Sequence, residues 1–404
     1  MFKKIQLVFV YIVIVISIIS CSKDPTSTGA KQIPGSDLIS TSIFDSNPAN
    51  INQRTSTYDF VLESGYATQV VIGKNSYAES DALIRFAMNI PDTILNHLKL
   101  NNLVVKSAWI TMDSTYSLGG QTAPFDFYAY NITNYRSGLF WLLGFDRDSL
   151  SLLTYDNSIN QNINTSAPVI DSAIMRFNIN PNMVMSWLKA QYQINNTTDK
   201  NLGMILKPKP GTNKFFGFDA VTNLPTLNVA FQLPSLVIDT LQFTSSYCMH
   251  VLSPLPNIVT RSDEFYLEGG QSLRGTLFFD LSSLPKLSLF NKATLTLTVD
   301  SLNTFEGTPS SSSIKVQLFS DSSSAVRKLA DSTTVSTLSR TGNQFSGDIN
   351  WMVQKWVSGK LANQGILLSL SDELSSVARI AIYNSTNQNK NLRPRLKLYY
   401  IQKK

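Results

Sequence analysis

The sequence is short of the residues that usually carry covalent, metal and proton chemistry. It holds 2 Cys and 2 His among 404 residues. Two cysteines cannot build a disulfide framework or a four-thiolate zinc site, and two histidines leave little for a His-rich metal centre. Charge is also scarce: 15% of residues are Asp, Glu, Lys or Arg, where about a quarter is usual. The basic residues are scattered, with no run longer than the terminal Lys403-Lys404. A nucleic-acid footprint needs a concentrated basic stripe, so that class of partner is rejected. There is no Gly-x-Ser-x-Gly elbow, no Gly-rich phosphate loop and no His-Glu-x-x-His.

What is present starts at the N-terminus. Lys3 and Lys4 precede an apolar run from Leu7 to Ile19, closed by Ser20 and Cys21. A charged opening, a short apolar stretch and small residues make a secretory signal, too short and wrongly flanked for a spanning helix. Nothing later in the chain approaches 18 consecutive apolar residues, so no second span is expected. The Ile18-Ile19-Ser20-Cys21 box resembles the lipobox of bacterial lipoproteins. That resemblance implies cleavage before Cys21 and acylation of its thiol. Each buried acyl methylene contributes about 0.8 kcal/mol, so several chains make a firm anchor without a spanning helix. Ser22, rather than Asp, follows Cys21, which resembles lipoproteins passed to a Gram-negative outer membrane, facing either the periplasm or the cell surface. The next residues are rich in turn formers and predict a flexible tether. Without Lys3 and Lys4 the net charge is +4.

The body has the pattern of strands. Asp81–Met88, Lys106–Asp113, Phe125–Tyr130, Ala293–Val299 and Ile314–Phe319 alternate apolar and polar residues between Asn, Gly, Ser and Pro. Many short strands with polar turns predict an all-β protein, a sandwich or jelly roll. The segments also recur in order. Leu83-Ile84-Arg85-Phe86 before Ile90-Pro91 matches Leu277-Phe278-Phe279-Asp280 before Leu284-Pro285, and Asp113-Ser114 matches Asp300-Ser301. Met183-Val184 with Trp187 matches Met352-Val353 with Trp356. Asn201–Leu206 matches Asn363–Leu368, and Pro225–Val229 matches Pro394–Leu398. A tandem duplication is the simplest source, with the boundary near Leu233-Pro234-Ser235.

The expected organisation is a signal peptide over 1–20 and a tether over 21–57. Two antiparallel jelly-roll domains follow, over 58–232 and 238–402, each with one short helix. Val184, Trp187 and Leu188, like Val353, Trp356 and Val357, share one helical face, so each Trp is expected in the core. Asn180 and Asn350 stand where N-caps would, and Pro181 suits a first helical turn.

An Arg/Leu/Phe strand before a Leu-Pro turn, Lys292-Ala293-Thr294-Leu295-Thr296-Leu297, a Val-x-x-Trp helix, Asn-x-Gly-Ile-Leu-Leu and Arg393-Pro394-Arg395-Leu396 together resemble DNRLRE domains. These are secreted jelly-roll modules, often appended to polysaccharide-active enzymes, and some are classed as carbohydrate-binding modules. The second copy matches best. Neither copy keeps the family's mid-domain acidic-aromatic-Thr-Trp motif, whose nearest counterpart is Asn134 to Asp148.

Sites for chemistry are few. Cys248 and His250 would share one face of a strand, but a catalytic pair needs a third group and a lowered thiol pKa, so a buried, inert thiol is expected. His97 is read as a turn or loop residue. Asp146 with Asp148 and Asp372 with Glu373 are carboxylate pairs of the kind glycosidases use, here read as solvated surface. No cofactor is expected. Oxygen-rich loops such as Ser320-Asp321-Ser322-Ser323 offer ligands for a structural Ca2+, without an EF-hand pattern. The most informative stretch is Tyr130 to Trp141. There Tyr135, Phe140 and Trp141 offer rings for a sugar and Arg136 adds hydrogen bonds, the other reading being aromatic residues that cap the core. The expectation is therefore a non-catalytic surface lipoprotein whose partner is extracellular polysaccharide. An envelope scaffold or adhesion protein is the alternative, and a polysaccharide lyase or hydrolase a less favoured one.

Overall fold

Alternation of period two sets the elements. In Ile174–Ile179, Met175, Phe177 and Ile179 are buried while Ile174, Arg176 and Asn178 are exposed, as a half-buried strand requires. The computed structural model describes residues 40–60, 62, 65, 67–135, 148–164, 169–171, 173–194, 200–234, 238–255, 260–270, 273–323 and 327–402. Cys21 and the expected signal peptide lie outside them.

The chain opens with β1 (Ser40–Asp45) and β2 (Gln53–Asp59). It continues through β3 (Gln69–Lys74), β4 (Ala78–Phe86), α1 (Asp92–Lys99), β5 (Val104–Leu118), β6 (Phe127–Tyr135), β7 (Leu153–Asp156), β8 (Val169–Asp171) and β9 (Ile174–Ile179). Then come α2 (Pro181–Gln191), β10 (Met204–Pro208), β11 (Lys214–Asp219), β12 (Thr226–Gln232) and β13 (Ile238–Pro254). The second half holds β14 (Glu264–Glu268), β15 (Leu273–Phe279), β16 (Leu289–Thr298), β17 (Ser313–Asp321), β18 (Lys328–Leu329), β19 (Ser336–Thr341) and β20 (Gln344–Asp348). It ends with α3 (Asn350–Val357), β21 (Ile366–Leu370), β22 (Arg379–Tyr383) and β23 (Arg395–Gln402).

Every strand pairing is antiparallel, so the protein is all-β, built as two sandwiches. In the first, strands run in the order β13-β12-β5-β11-β3-β4-β10-β6-β7, and β13 also pairs β4, which closes the path on itself. Its core holds Phe86, Phe127, Phe177 and Trp187. In the second the order is β1-β23-β16-β20-β19-β17-β21-β15-β2, with β14 and β22 as a separate pair. Its core holds Phe279, Phe345, Met352 and Trp356.

Strand pairing in the two halves corresponds at the matched blocks, with one correction. Met204 pairs Ile84 while its counterpart Ile366 pairs Leu277. Ile84 therefore corresponds to Leu277, one residue away from the match drawn in sequence. The side chains decide it, because a one-residue slip turns every side chain to the other face. Asn201 and Asn363 confirm the register, each donating its Nδ2 to a strand carbonyl, that of Phe86 at 3.0 Å and Phe279 at 2.7 Å.

The domain boundaries also differ from expectation. β13 does not open the second sandwich. Its first half pairs β12 and its second half pairs β4, with a shift between Ser245 and Tyr247. In the second sandwich the same two places are taken by β1 on β23 and β2 on β15. Each repeat is thus completed by the strand segment that precedes the other repeat. Residues 40–45 and 53–57, expected in a tether, lie in sheet strands, β2 running on to Asp59, and the first sandwich runs on past 232 to Pro254. Alternation marks a strand but not the sheet that receives it, so the exchange had no local signal.

The helices bring two more corrections. Among the described residues the first sandwich has two α-helices: α1 follows Pro91, buries Ile94 and Leu98, and contains His97, whose Nδ1 lies 2.9 Å from Asn102 Oδ1. Asn180 caps α2 by accepting the Asn182 N–H at 3.0 Å. Asn350 instead lies inside α3, and Asp348 Oδ1 accepts its N–H at 3.1 Å.

The sandwiches meet in a buried junction. Val71, Tyr77, Tyr116, Phe215 and Leu252 of the first pack on Val377 of the second. Ser117 and Thr308 exchange backbone hydrogen bonds of 3.0 and 2.7 Å. The Tyr77 hydroxyl donates to the Val377 carbonyl, and its ring lies 5.0 Å from that of Phe305. At Gly307 a Cβ would stand 2.2 Å from the Tyr116 ring, so only glycine fits. Beneath the junction Glu268 and Arg379 form a buried pair at 2.8 Å. Burial, with a smaller push from Asp59, raises the Glu268 carboxyl to about 7 against the pull of Arg379.

Candidate functional site

β6 organises the surface of interest. Phe127 and Ala129 point into the core, and Tyr128 and Tyr130 point outward. On that outer face the Tyr128 and Tyr130 rings stack at 5.5 Å and 23°, and Tyr130 stacks on Tyr155 of β7 at 5.4 Å and 17°. Because the faces cover one another, the rings present edges and hydroxyls. Among the described residues none of the three hydroxyls has a hydrogen-bond partner. Burial, then the neighbouring tyrosines, raises the Tyr130 phenol above its ordinary value, so it stays a neutral donor.

Two ammonium groups flank the row. Lys209 Nζ lies 5.3 Å from the Tyr128 ring and pairs Asp126 at 2.6 Å. Lys207 lies 5.9 Å from the Tyr155 ring and pairs Asp81. Each charge is matched locally, so the row suits a hydroxyl-rich, uncharged ligand better than a polyanion. Its ring centroids stand 5.5 and 5.4 Å apart, the scale of one pyranose ring, and many such contacts sum along a polymer.

The fold does not require this row. Lys207 pairs Tyr128 and Ile205 pairs Tyr130, while the matching β21 residues Ser369 and Leu367 pair Lys315 and Gln317. The second sandwich therefore has no aromatic residue at either position.

Of the expected site residues, Tyr135 ends β6 and packs on an outer apolar cluster of Leu83, Ile132, Leu153, Ile205, Met249 and Val251. Arg136, Phe140 and Trp141 lie outside the described residues, as does Asp146. Tyr128 and Tyr155 were missed. The Tyr128-x-Tyr130 spacing alone places two rings on one face, whereas Tyr155 joins them only through the pairing of Ile132 with Tyr155.

The remaining candidates are occupied structurally. Cys248 and His250 share the inward face of β13, opposite Ile84 and Ala82. Burial pushes the Cys248 thiol up to about 11 and the His250 ring down to about 4, so both are neutral near pH 7. That is the reverse of a thiolate–imidazolium pair. Glu373 is held by Arg274 through bonds of 2.7 and 3.0 Å, and Asp372 accepts the Ser311 hydroxyl. Asp321 accepts the Ser323 N–H at 2.8 Å, a local turn. Among the described residues no three His, Cys, Asp or Glu side chains group as metal ligands, and no helix is long and apolar enough to cross a membrane.

Fold and site together define a tandem β-sandwich protein with an aromatic outer face on one repeat. No family model matches the chain, and no curated protein matches it. Among solved structures it is similar to the infectious bursal disease virus VP2 subviral particle, at 10% identity over 91% of this chain and 78% of that one, with a TM-score of 0.14. A structure of the Gx strain of infectious bursal disease virus gives 11%, 92%, 79% and 0.12. TM-scores this small define no shared fold.

Proposed function

We propose that the protein is a lipid-anchored outer-membrane lipoprotein whose sandwiches form a non-catalytic surface module for extracellular polysaccharide. The observation that supports this most is the row of Tyr128, Tyr130 and Tyr155, with unpartnered hydroxyls on one repeat only. The ligand lies along the row, taking hydrogen bonds from phenols and from the flanking lysines.

The test is binding of a soluble chain starting at Lys31 to a polysaccharide panel, with and without EDTA. Tyr130→Phe and Tyr155→Phe keep the stack and remove one hydroxyl each. A neutral hydrogen bond is worth roughly 0.5–1.5 kcal/mol, so each variant weakens binding about two- to tenfold. Loss in Tyr135→Ala would extend the site along β6, loss in Trp141→Ala would add that residue to it, and EDTA sensitivity would add Ca2+. Silence of the folded chain across the panel would overturn the glycan reading. A second reading, an envelope scaffold, is favoured by the strand exchange and the buried junction, which hold the two repeats in one arrangement as a spacer needs.

A further inference from the structure

On the other side of β6 from the tyrosine row, where α2 closes the end of the first sandwich, lies a cleft of about 540 Å3. That size is within the range of small-molecule sites, about 300–1,000 Å3. Its floor is Met183 and Trp187, and its walls carry the amides of Asn131, Gln161, Asn180 and Asn182. Four amides in one cleft can present donors and acceptors side by side, the pattern that vicinal hydroxyls complement.

Several of these groups are fixed and already half used. Asn131 Oδ1 accepts the Trp187 Nε1–H at 2.9 Å, which leaves its NH2 for a ligand. Asn180 Oδ1 accepts the Asn182 N–H, which leaves a second NH2. Gln161 is the telling one. Its backbone is pinned on both sides, the N–H donating to Ala129 O at 2.7 Å and the carbonyl accepting from Asn180 N at 2.9 Å. The residue is 6% exposed, yet its Oε1 has no hydrogen-bond partner. An orphaned buried acceptor is costly, and a native protein keeps one where something completes it. The last torsion of glutamine is broad, so the amide turns to the cleft at little cost. Turning it over would bury the NH2 instead, which equally needs a partner.

Charge in the cleft is limited to Asp156 and Lys200 at its edge. Asp156 already accepts the Ser158 hydroxyl at 2.5 Å and the Ser158 N–H at 3.0 Å, and those bonds keep its carboxyl below the usual range. The second repeat has no matching amide set, because Leu318 takes the place of Asn131.

We propose that this cleft is a binding site for one or two rings of a neutral saccharide, with Gln161 and Asn131 taking neighbouring hydroxyls. It deepens the glycan reading but stands apart from the tyrosine row, and the two fail independently. The experiment titrates the soluble chain from Lys31 with maltose, cellobiose and lactose, followed by ligand-observed NMR and calorimetry, with glucuronate as the charged control. At least one neutral disaccharide binds at millimolar concentration, and Gln161→Leu weakens it about tenfold or more. Removing an unpartnered oxygen leaves the melting temperature of Gln161→Leu unchanged or higher. Asn182→Ala, an exposed change on the rim, weakens the same sugar without touching the core. Tyr130→Phe and Tyr155→Phe leave disaccharide binding intact while lowering polymer binding. Absence of binding by all three sugars, preference for glucuronate, or affinity retained in both Gln161→Leu and Asn182→Ala would overturn the site.

Discussion

Trp187 and Trp356 are the same residue of the repeat, and the structure predicts that they respond differently to one substitution. Both indoles are buried, with 1% and 6% exposure. Trp187 donates to Asn131, whereas Trp356 Nε1 has no partner because Leu318 stands where that acceptor would be. Replacing either by Phe trims the same ring area, so packing losses cancel in the comparison. At 187 the change also breaks a bond worth about 1 kcal/mol and leaves Asn131 short of a donor. At 356 it removes a buried unpaired N–H that costs about 1–3 kcal/mol. Trp187→Phe should therefore be more destabilising by about 2–4 kcal/mol, or about 1–2 M in the urea midpoint. The assay is equilibrium urea unfolding followed by far-ultraviolet circular dichroism. Adding Leu318→Asn costs core packing on its own, but a double-mutant cycle with Trp356→Phe should show favourable coupling near 1 kcal/mol. Equal losses at 187 and 356 with no coupling would refute the correspondence between the repeats.

Two further outcomes follow from the exchange and the junction. A chain starting at Phe60 lacks β1 and β2, and with them the packing of Phe44 and Ile51 on the second core. Losing several kcal/mol of a typical 5–15 unfolds the second sandwich, so limited proteolysis should degrade 264–402 while 67–254 resists; equal resistance of both would contradict the assignment of these strands. Glu268 titrates at about 7 in the fold against an ordinary 4.5, so the folded state binds its proton more tightly. Its contribution is full below about pH 4.5 and fades as pH rises through about 7. Urea midpoints should fall over that window in the natural protein and flatten in Glu268→Gln, while an unchanged slope would place the titration elsewhere.

Much of the fold was legible because it is written locally. Alternation in Ile174–Ile179 or Ala293–Val299 needs no partner to be read, and the Val-x-x-Trp spacing places both tryptophans on a buried helical face. What escaped depends on pairing across long separations. The sequence match of Leu83 with Leu277 slipped by one because both neighbourhoods are apolar, and only the partners Met204 and Ile366 decide the face. Asn350 looked like a cap by position, yet Asp348 does that work. Tyr128 and Tyr130 were readable as a pair, while Tyr155 and the orphaned Gln161 acquire meaning only from what lies beside them.

The pairing of Ser40 with Gln402 imposes an order on biosynthesis. The first sandwich can close once Pro254 has been made, but β2 must wait for β15 and β1 for β23. Until β13 emerges the edges of β12 and β4 stand open, and residues 40–59 do not yet have their own partners. The segment that completes the second sandwich is thus made first and paired last, at the greatest sequence separation of the described pairings.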